Sequence, residues 1–552
     1  MMPSLVPPLA STDTPARVDA RADRVWMWTG WLALAALLVF AVPLFLRMGV
    51  WVDSTFYDVA AWTVLNGGVH YRDVFDTNLP GMLWLHVLVR SLFGWRYEAL
   101  RGVDLVVVSA AIWLLIQYLA RLGIGSAARV WTALVLYAFY FSLPELSHCQ
   151  RDIWQLAPAL AALHLLDRRT TLASGGARAT TLARIAGLEG LCWAAAAWIK
   201  PFVLVPAACC WVTARRAAGS HERDRRAALA GLLGGGALAA VLGVGWLVAS
   251  GTWPFFFDVM ARWNPEYAGH HGYHWHARRA VFMGCAMDAM PWTLVGLIAI
   301  PLAVIAAAPL RGRGVRDGRT TSAVLLATFY LGWLLQVLVV QPRIHCYTLD
   351  SSILVGIAAI PALAPAGWWS VPLVRGIVLE FALWALLVHP VVRSERLSLW
   401  RSAVTAGSPE LRDKLSLTPS TTNGRIAWTD LQAVADYLGG RGLHDGELLC
   451  FNDATHPLYI QLGIKPPLRY IQWGVIAHFT NRHEQVSREL EATAVRVIVT
   501  DLTAVGLGST DPVEPLPTAL TWRFPWNYPV AFRSGPYVVH DVDGRIESAA
   551  SW

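Results

Sequence analysis

The stretch that decides the fold follows the first hydrophobic span: Trp51-Val-Asp53-Ser-Thr-Phe-Tyr57-Asp58, continuing to Tyr71-Arg72-Asp73-Val-Phe-Asp76-Thr-Asn78-Leu-Pro80-Gly81. Four carboxylates and Tyr57 sit where a membrane protein meets water, ahead of a long series of apolar segments. Acids cost solvation inside a bilayer and do nothing for anchoring, so this is where chemistry is sought. A solvated outer loop is the plain alternative.

Composition sets the class. Over 552 residues the mean hydropathy is +0.43, with 55% hydrophobic and 15% charged residues, which describes a polytopic membrane protein with a polar remainder. The net charge of +7 comes almost wholly from arginine, lysine being present only at Lys200, Lys414 and Lys465. These arginines cluster in loops and report topology and anionic headgroups rather than nucleic acid. The seven cysteines show neither zinc spacing nor a pattern suggesting disulfides. The first 24 residues are Pro/Ala/Arg/Asp-rich and are expected to be disordered, with residues 30–46 a retained first span.

Apolar segments fall at 30–46, 79–93, 101–120, 130–143, 153–166, 185–199, 201–213, 227–250, 285–308, 321–340, 347–364 and 371–389. The arginine clusters at 121–129, 168–184, 215–226 and 311–319 all become cytoplasmic if segment 79–93 lies in the interface. That leaves about eleven spans, a cytoplasmic N-terminus and an extracytoplasmic C-terminus. Residues 185–199 and 201–213 become two short helices meeting at Lys200-Pro201, where proline removes a backbone donor. Beyond residue 395 the pattern changes. A helix over 428–438, a strand over 448–451, helices over 458–462 and 484–491, and a β-rich run over 495–500 predict a small extracytoplasmic α/β domain spanning 395–552.

In this order and sidedness the motifs resemble the GT-C glycosyltransferases, nearest the branch of protein O-mannosyltransferases and the aminoarabinose transferase that modifies lipid A. The matching features are Asp53-x-x-x-Tyr57, the Tyr71-Arg72-Asp73…Phe75-Asp76…Pro80-Gly81 run, the acidic second outer loop from Glu145 to Gln150-Arg151-Asp152, Trp198-Ile-Lys200-Pro201, and Arg343-Ile-His345-Cys-Tyr347. The resemblance covers residues 25–390 and the general layout of the C-terminal domain. It implies transfer of a sugar from a polyprenyl-phosphate carrier to an acceptor on the outer face. The chain departs from the family at Ser54, where a second acid is usual, and at Asn78-Leu79-Pro80, where a lysine or histidine is usual. A lysine there would contact the lipid phosphate, so the resemblance implies that this contact comes from elsewhere or is weaker.

The same chemistry can be built from the residues. Displacing a lipid phosphate from an anomeric carbon needs a carboxylate to take the acceptor's proton and cations to hold the departing phosphate. Asp53, just past the first span, is the base candidate, and Asp152 is the second carboxylate, with a local Arg151–Asp152 pairing as its alternative. Lys200, Arg343 and Arg72 are the phosphate candidates, against membrane-surface anchoring. Tyr57, Asp76, His345 and Tyr347 complete the binding set, against ordinary belt or loop roles. The loop from Trp263 to His276 holds four histidines and four aromatics. Stacking on a sugar or a mobile lid fits it better than metal ligation. No cofactor is expected, and a divalent metal stays an open alternative.

The expectation is therefore an inverting glycosyltransferase of a cytoplasmic membrane. Its partners would be a polyprenyl-phosphate-linked sugar donor, a lipid, glycan or protein acceptor, and the bilayer. A glycan polymerase or ligase is disfavoured because the arginines concentrate on the cytoplasmic side, and a transporter because no internal repeat occurs.

Overall fold

The computed structural model describes residues 20–217, 222–270, 275–308, 318–364, 380, 389–420, 422–507 and 528–542. Helix α1 (Ala20–Arg47) starts ahead of the expected first span, so residues 20–24 are helical, and its apolar run ends on Arg47. Helix α2 (Val52–Leu65) follows after four residues and carries Asp53 in its first turn, where backbone N–H groups favour an acid. Helix α3 (Gly81–Phe93) has only 13 residues, about 20 Å at 1.5 Å per residue and short of a ~30 Å hydrocarbon core. Asp58 of α2 locks the two together: it accepts from Arg90 Nε at 2.7 Å and meets His86 Nδ1 at 2.9 Å.

Helices α4 (Tyr97–Arg121), α5 (Ser126–Ser142), α6 (Arg151–Trp154), α7 (Leu156–Ser174) and α8 (Ala179–Ile199) continue the bundle. The break at Lys200-Pro201 is present, as a 3₁₀ turn at Pro201–Val203 leading into α9 (Leu204–Ala217). The first arm of this pair is longer than expected, because α8 runs for 21 residues and is apolar enough to span alone. Helix α10 (Glu222–Ala249) packs along α8, backbone against backbone, at Gly190, Gly231 and Gly235, where any side chain would strike the facing helix. Short helices α11 (Trp253–Asp258) and α12 (Asn264–His270) flank a π-helical turn at Val259–Trp263.

The segment expected as one span at 285–308 is two helices, α13 (Trp275–Asp288) and α14 (Thr293–Ala307), bent by 113°. Met290-Pro291-Trp292 interrupts the helical hydrogen bonding between them, which apolar composition alone does not reveal. Helices α15 (Gly318–Leu335) and α16 (Cys346–Leu363) close the series, joined through a π turn at Gln336–Val340. Among the described residues six helices are long and apolar enough to cross a membrane, or seven with the bent pair as one span. Segment 371–389 lies almost wholly outside the described residues, as do Arg311, Arg313 and Arg316.

One pairing is a correction to the cysteine reading. Cys285 and Cys346 form a disulfide with Cα atoms 4.8 Å apart. Their separation of 61 residues carries no sequence signal; only the packing of α13 on the start of α16 brings them together.

The C-terminal region forms a four-stranded sheet in the order β1-β2-β4-β3. Strand β1 (Leu448–Cys450) pairs parallel with β2 (Val497–Asp501), while β3 (Val530–Ser534) and β4 (Tyr537–Asp541) add antiparallel. The helices at Trp428–Gly439, Pro457–Leu462 and His483–Glu491 stand where the periodicity put them; the β3–β4 hairpin was not expected. This region is seated on the loops that carry Phe75 and Glu145. Glu145 accepts from Leu417 N, Thr418 N and Thr418 Oγ1, and Phe75 N donates to Arg469 O at 2.9 Å. Trp428 packs on Tyr97, with ring centroids 4.8 Å apart.

Candidate functional site

Seven segments that are distant in sequence converge on one cavity of about 700 Å³. They are the start of α2, the loop before α3, the loop between α5 and α6, the Lys200 break, the α12 region, the α15–α16 connection and the C-terminal region. Both π-helical turns abut it: one delivers Met260 and Asn264, the other Gln341 and Arg343. Such turns re-aim the side chains that follow them, and they recur at functional sites.

Asp53 lines the cavity and accepts one hydrogen bond, from Gln150 Nε2 at 3.1 Å. Burial raises its carboxyl above the ordinary value, while the Gln150 bond and the charge of Arg151 oppose the rise. This is the environment of a carboxylate that takes up a proton more readily than one in water.

The cations divide into three situations. Lys200 is buried and spends two of its three donors, on Asp152 Oδ1 at 2.6 Å and Gln341 Oε1 at 2.9 Å. Asp152 therefore pairs with Lys200, not with its neighbour Arg151, and it does not line the cavity. Arg343 lies over the ring of Tyr267 at 4.3 Å, and its Nε and Nη2 are buried without a partner. A guanidinium held by stacking, with free donors at a cavity wall, is prepared for an oxyanion. Arg72 is a correction. It is solvent-exposed, bonded to Asp73 at 2.7 Å, and away from the cavity, because the turn after Val69 points it outward.

His345 and Tyr347 line the cavity as a stacked pair, with centroids 5.1 Å apart and planes 7° from parallel. Burial, then the charge of Lys200, pushes His345 down to about 4, so it is neutral at physiological pH. Tyr57 and Asp76 are buried behind the wall rather than in it. Asp76 accepts from the backbone N–H and Nδ2 of Asn78, at 2.9 and 2.7 Å, and so shapes the loop that does reach the cavity. Trp263, read as a sugar-stacking candidate, is instead buried among Phe75, Tyr470 and Phe479. It mates the loop before α3 to the C-terminal region. Of the remaining loop, residues 271–274 lie outside the described residues. Among the described residues no group of three or more His, Cys, Asp or Glu side chains converges as a metal site.

Polar cavity residues to which the sequence reading gave no role include Arg151, Gln341, Asp453 and Gln472. Asp453 comes from the C-terminal region, in a 3₁₀ turn directly after β1. An acid at the carboxyl end of a buried strand, where α/β folds place ligands, was the signal available.

A second cavity adjoins the first. It is an apolar groove of about 720 Å³ walled by α8, α9 and α10, including Trp193, Ala197, Ala208 and Leu232. Leu79 and Pro201 belong to both cavities and mark where they meet.

No family model matches the chain, and no curated protein matches it in sequence. Among solved structures it is similar to ArnT from Cupriavidus metallidurans bound to undecaprenyl phosphate. The identity is 15% and the TM-score 0.50, over 93% of this chain and 98% of that one. It is also similar to the oligosaccharyltransferase of Archaeoglobus fulgidus in the apo form, at 12% identity and TM-score 0.46, over 86% of this chain and 70% of that one. At these identities the likeness is one of fold: over nearly its whole length the chain is folded like ArnT.

Proposed function

We propose that this protein is an inverting membrane glycosyltransferase that takes its sugar from a polyprenyl-phosphate carrier and delivers it to a hydroxyl acceptor on the outer face of a cytoplasmic membrane. The observation that carries this reading is the junction at Leu79 and Pro201 between a long apolar groove and a polar cavity with an unpartnered guanidinium. Those are the two halves of an amphiphile with a hydrocarbon tail and a phosphate head. The tail lies along α8–α10, and the phosphate reaches Arg343 and the remaining donor of Lys200.

Asp53 takes the proton of the acceptor hydroxyl as the acceptor oxygen bonds the anomeric carbon. The bond from that carbon to the phosphate oxygen breaks, and its electron pair leaves on the polyprenyl phosphate. Arg343 meets the charge that develops there. The stacked His345–Tyr347 pair and Tyr267 close the polar cavity around the reacting sugar. The Cys285–Cys346 disulfide at its edge suits an oxidising, outer compartment.

Two measurements test the reading. Purified protein in nanodiscs is titrated with undecaprenyl phosphate; saturable binding that Arg343→Gln weakens is expected, and no binding would reject the donor class. Thr480→Cys on a cysteine-free background is then probed with a membrane-impermeant maleimide. Labelling from the outer side is expected, and labelling only from the cytoplasmic side would reverse the topology.

A further inference from the structure

The cavity has two chemically different walls. On one side Arg343, Lys200, Tyr267 and Tyr347 present donors and aromatic rings. On the other the C-terminal region presents Asp453 and Gln472, beside Asp53 from α2. Asp453 is held rigidly: its Oδ1 accepts from Trp473 N at 3.0 Å, at the start of the one-turn helix Trp473–Ile476. The Gln472 amide, one residue earlier, has no side-chain partner among the described residues and faces the same space. A carboxylate and an amide set side by side on stiff backbone match the paired hydroxyls of a sugar ring, where each can serve one oxygen.

We propose that Asp453 and Gln472 form the acceptor subsite of this cavity, binding a sugar or other polyol and holding its nucleophilic hydroxyl against Asp53. The inference rests on the glycosyltransferase reading and adds the chemical class of the acceptor and the region of the chain that selects it. The C-terminal region is then part of the active site rather than a cap over it. The surroundings of Asp453 support this beside its place in the cavity wall. Burial, then the negative charge of Asp53, raises its carboxyl to about 7, so the folded chain holds this acid at a cost in stability. That arrangement is usual where a group is kept for function. A purely structural Asp453 would be a helix cap, and a cap has no need of the cavity.

Asn caps a helix about as well as Asp. Asp453→Asn therefore keeps an acceptor for Trp473 N–H and removes the charge together with the acceptor for Gly474 N–H, so its Tm is measured beside glycoside binding to separate the two roles. Full-length protein in nanodiscs is loaded with undecaprenyl phosphate. Methyl glycosides (of mannose, glucose, galactose and arabinose) are then tested by saturation-transfer NMR. At least one is expected to bind wild type, with about a tenfold or greater loss in both Asp453→Asn and Gln472→Ala. Undecaprenyl phosphate affinity should stay unchanged in both variants, and Arg343→Gln should give the converse pattern. Glycoside binding should also survive replacement of the free carrier by undecaprenyl-phosphate mannose. Wild-type affinity for glycosides in Asp453→Asn would overturn the proposal, as would the absence of binding by every glycoside. Loss of glycoside binding on loading the mannose-bearing carrier would assign this wall to the donor's sugar, which also overturns it. Failure of wild type to bind undecaprenyl phosphate would instead reject the parent reading, whatever the glycosides did.

Discussion

The membrane-side wall of the cavity and its C-terminal wall use charge in opposite ways. At the membrane-side wall Lys200 pairs with Asp152, and elsewhere in the bundle Arg90 pairs with Asp58 and Arg169 with Glu189. Against that background the unpartnered nitrogens of Arg343 stand out, because an unused buried guanidinium costs desolvation unless a ligand completes it. The C-terminal wall leaves a carboxyl, Asp453, supported only by backbone N–H and neighbouring dipoles. At this cavity, pairing ties Lys200 to Asp152, while the unpartnered nitrogens of Arg343 mark where a substrate is expected. Lys200 is thus more scaffold than its position at a span break suggested, and Arg343 more functional.

The sharpest way to break this contrast is Asp53→Asn. Removing the proton acceptor while keeping its shape should cut transfer about 10²–10⁴-fold, with undecaprenyl phosphate binding retained. Turnover near wild type would remove Asp53 from the mechanism. Next in size is Lys200→Met, which leaves Asp152 as a buried, unpaired charge. It should destabilise the protein by about 3–5 kcal/mol, read as a lower Tm in detergent. A variant with normal Tm and weakened donor binding would instead make Lys200 the main phosphate ligand. Arg343→Gln should leave Tm near wild type and weaken undecaprenyl phosphate by about ten- to a hundredfold, from the roughly 1.5–3 kcal/mol of a charge-assisted contact.

The smallest effect is a pH-dependent one at Asp453. Its folded value of about 7 lies above the ordinary 3.8, so the fold favours the protonated form. That contribution to stability is complete at low pH and is lost as pH rises from about 4 through 7. The ionisable groups around it are Asp53 from α2, His456 on its own turn and Asp501 at the end of β2. Asp453→Asn should match wild type in Tm at pH 4 and exceed it by a few degrees at pH 8. A constant difference across that range would mean that Asp453 is not held against ionisation.

The apolar helices, the acid-bearing segment after the first of them, the Lys200-Pro201 break and most of the C-terminal helices and strands were legible in the sequence, because each is local. Hydropathy, proline chemistry and two- or 3.6-residue periodicity act over a few turns of chain. The sequence also named much of the cavity: Asp53, Lys200, Arg343, His345 and Tyr347 all line it. What only the tertiary structure decided was partnership and direction. Whether Asp152 meets Arg151 or Lys200 depends on where the α8–α9 break sits relative to α6. Whether Arg72 points inward depends on one turn, and whether Trp263 stacks on a sugar or on Phe75 depends on how the C-terminal region seats. Cys285 meets Cys346, and Asp453 faces Asp53, across hundreds of residues or a bend that no periodicity records. Charge and burial are properties of a place in space, and only packing brings distant segments to the same place.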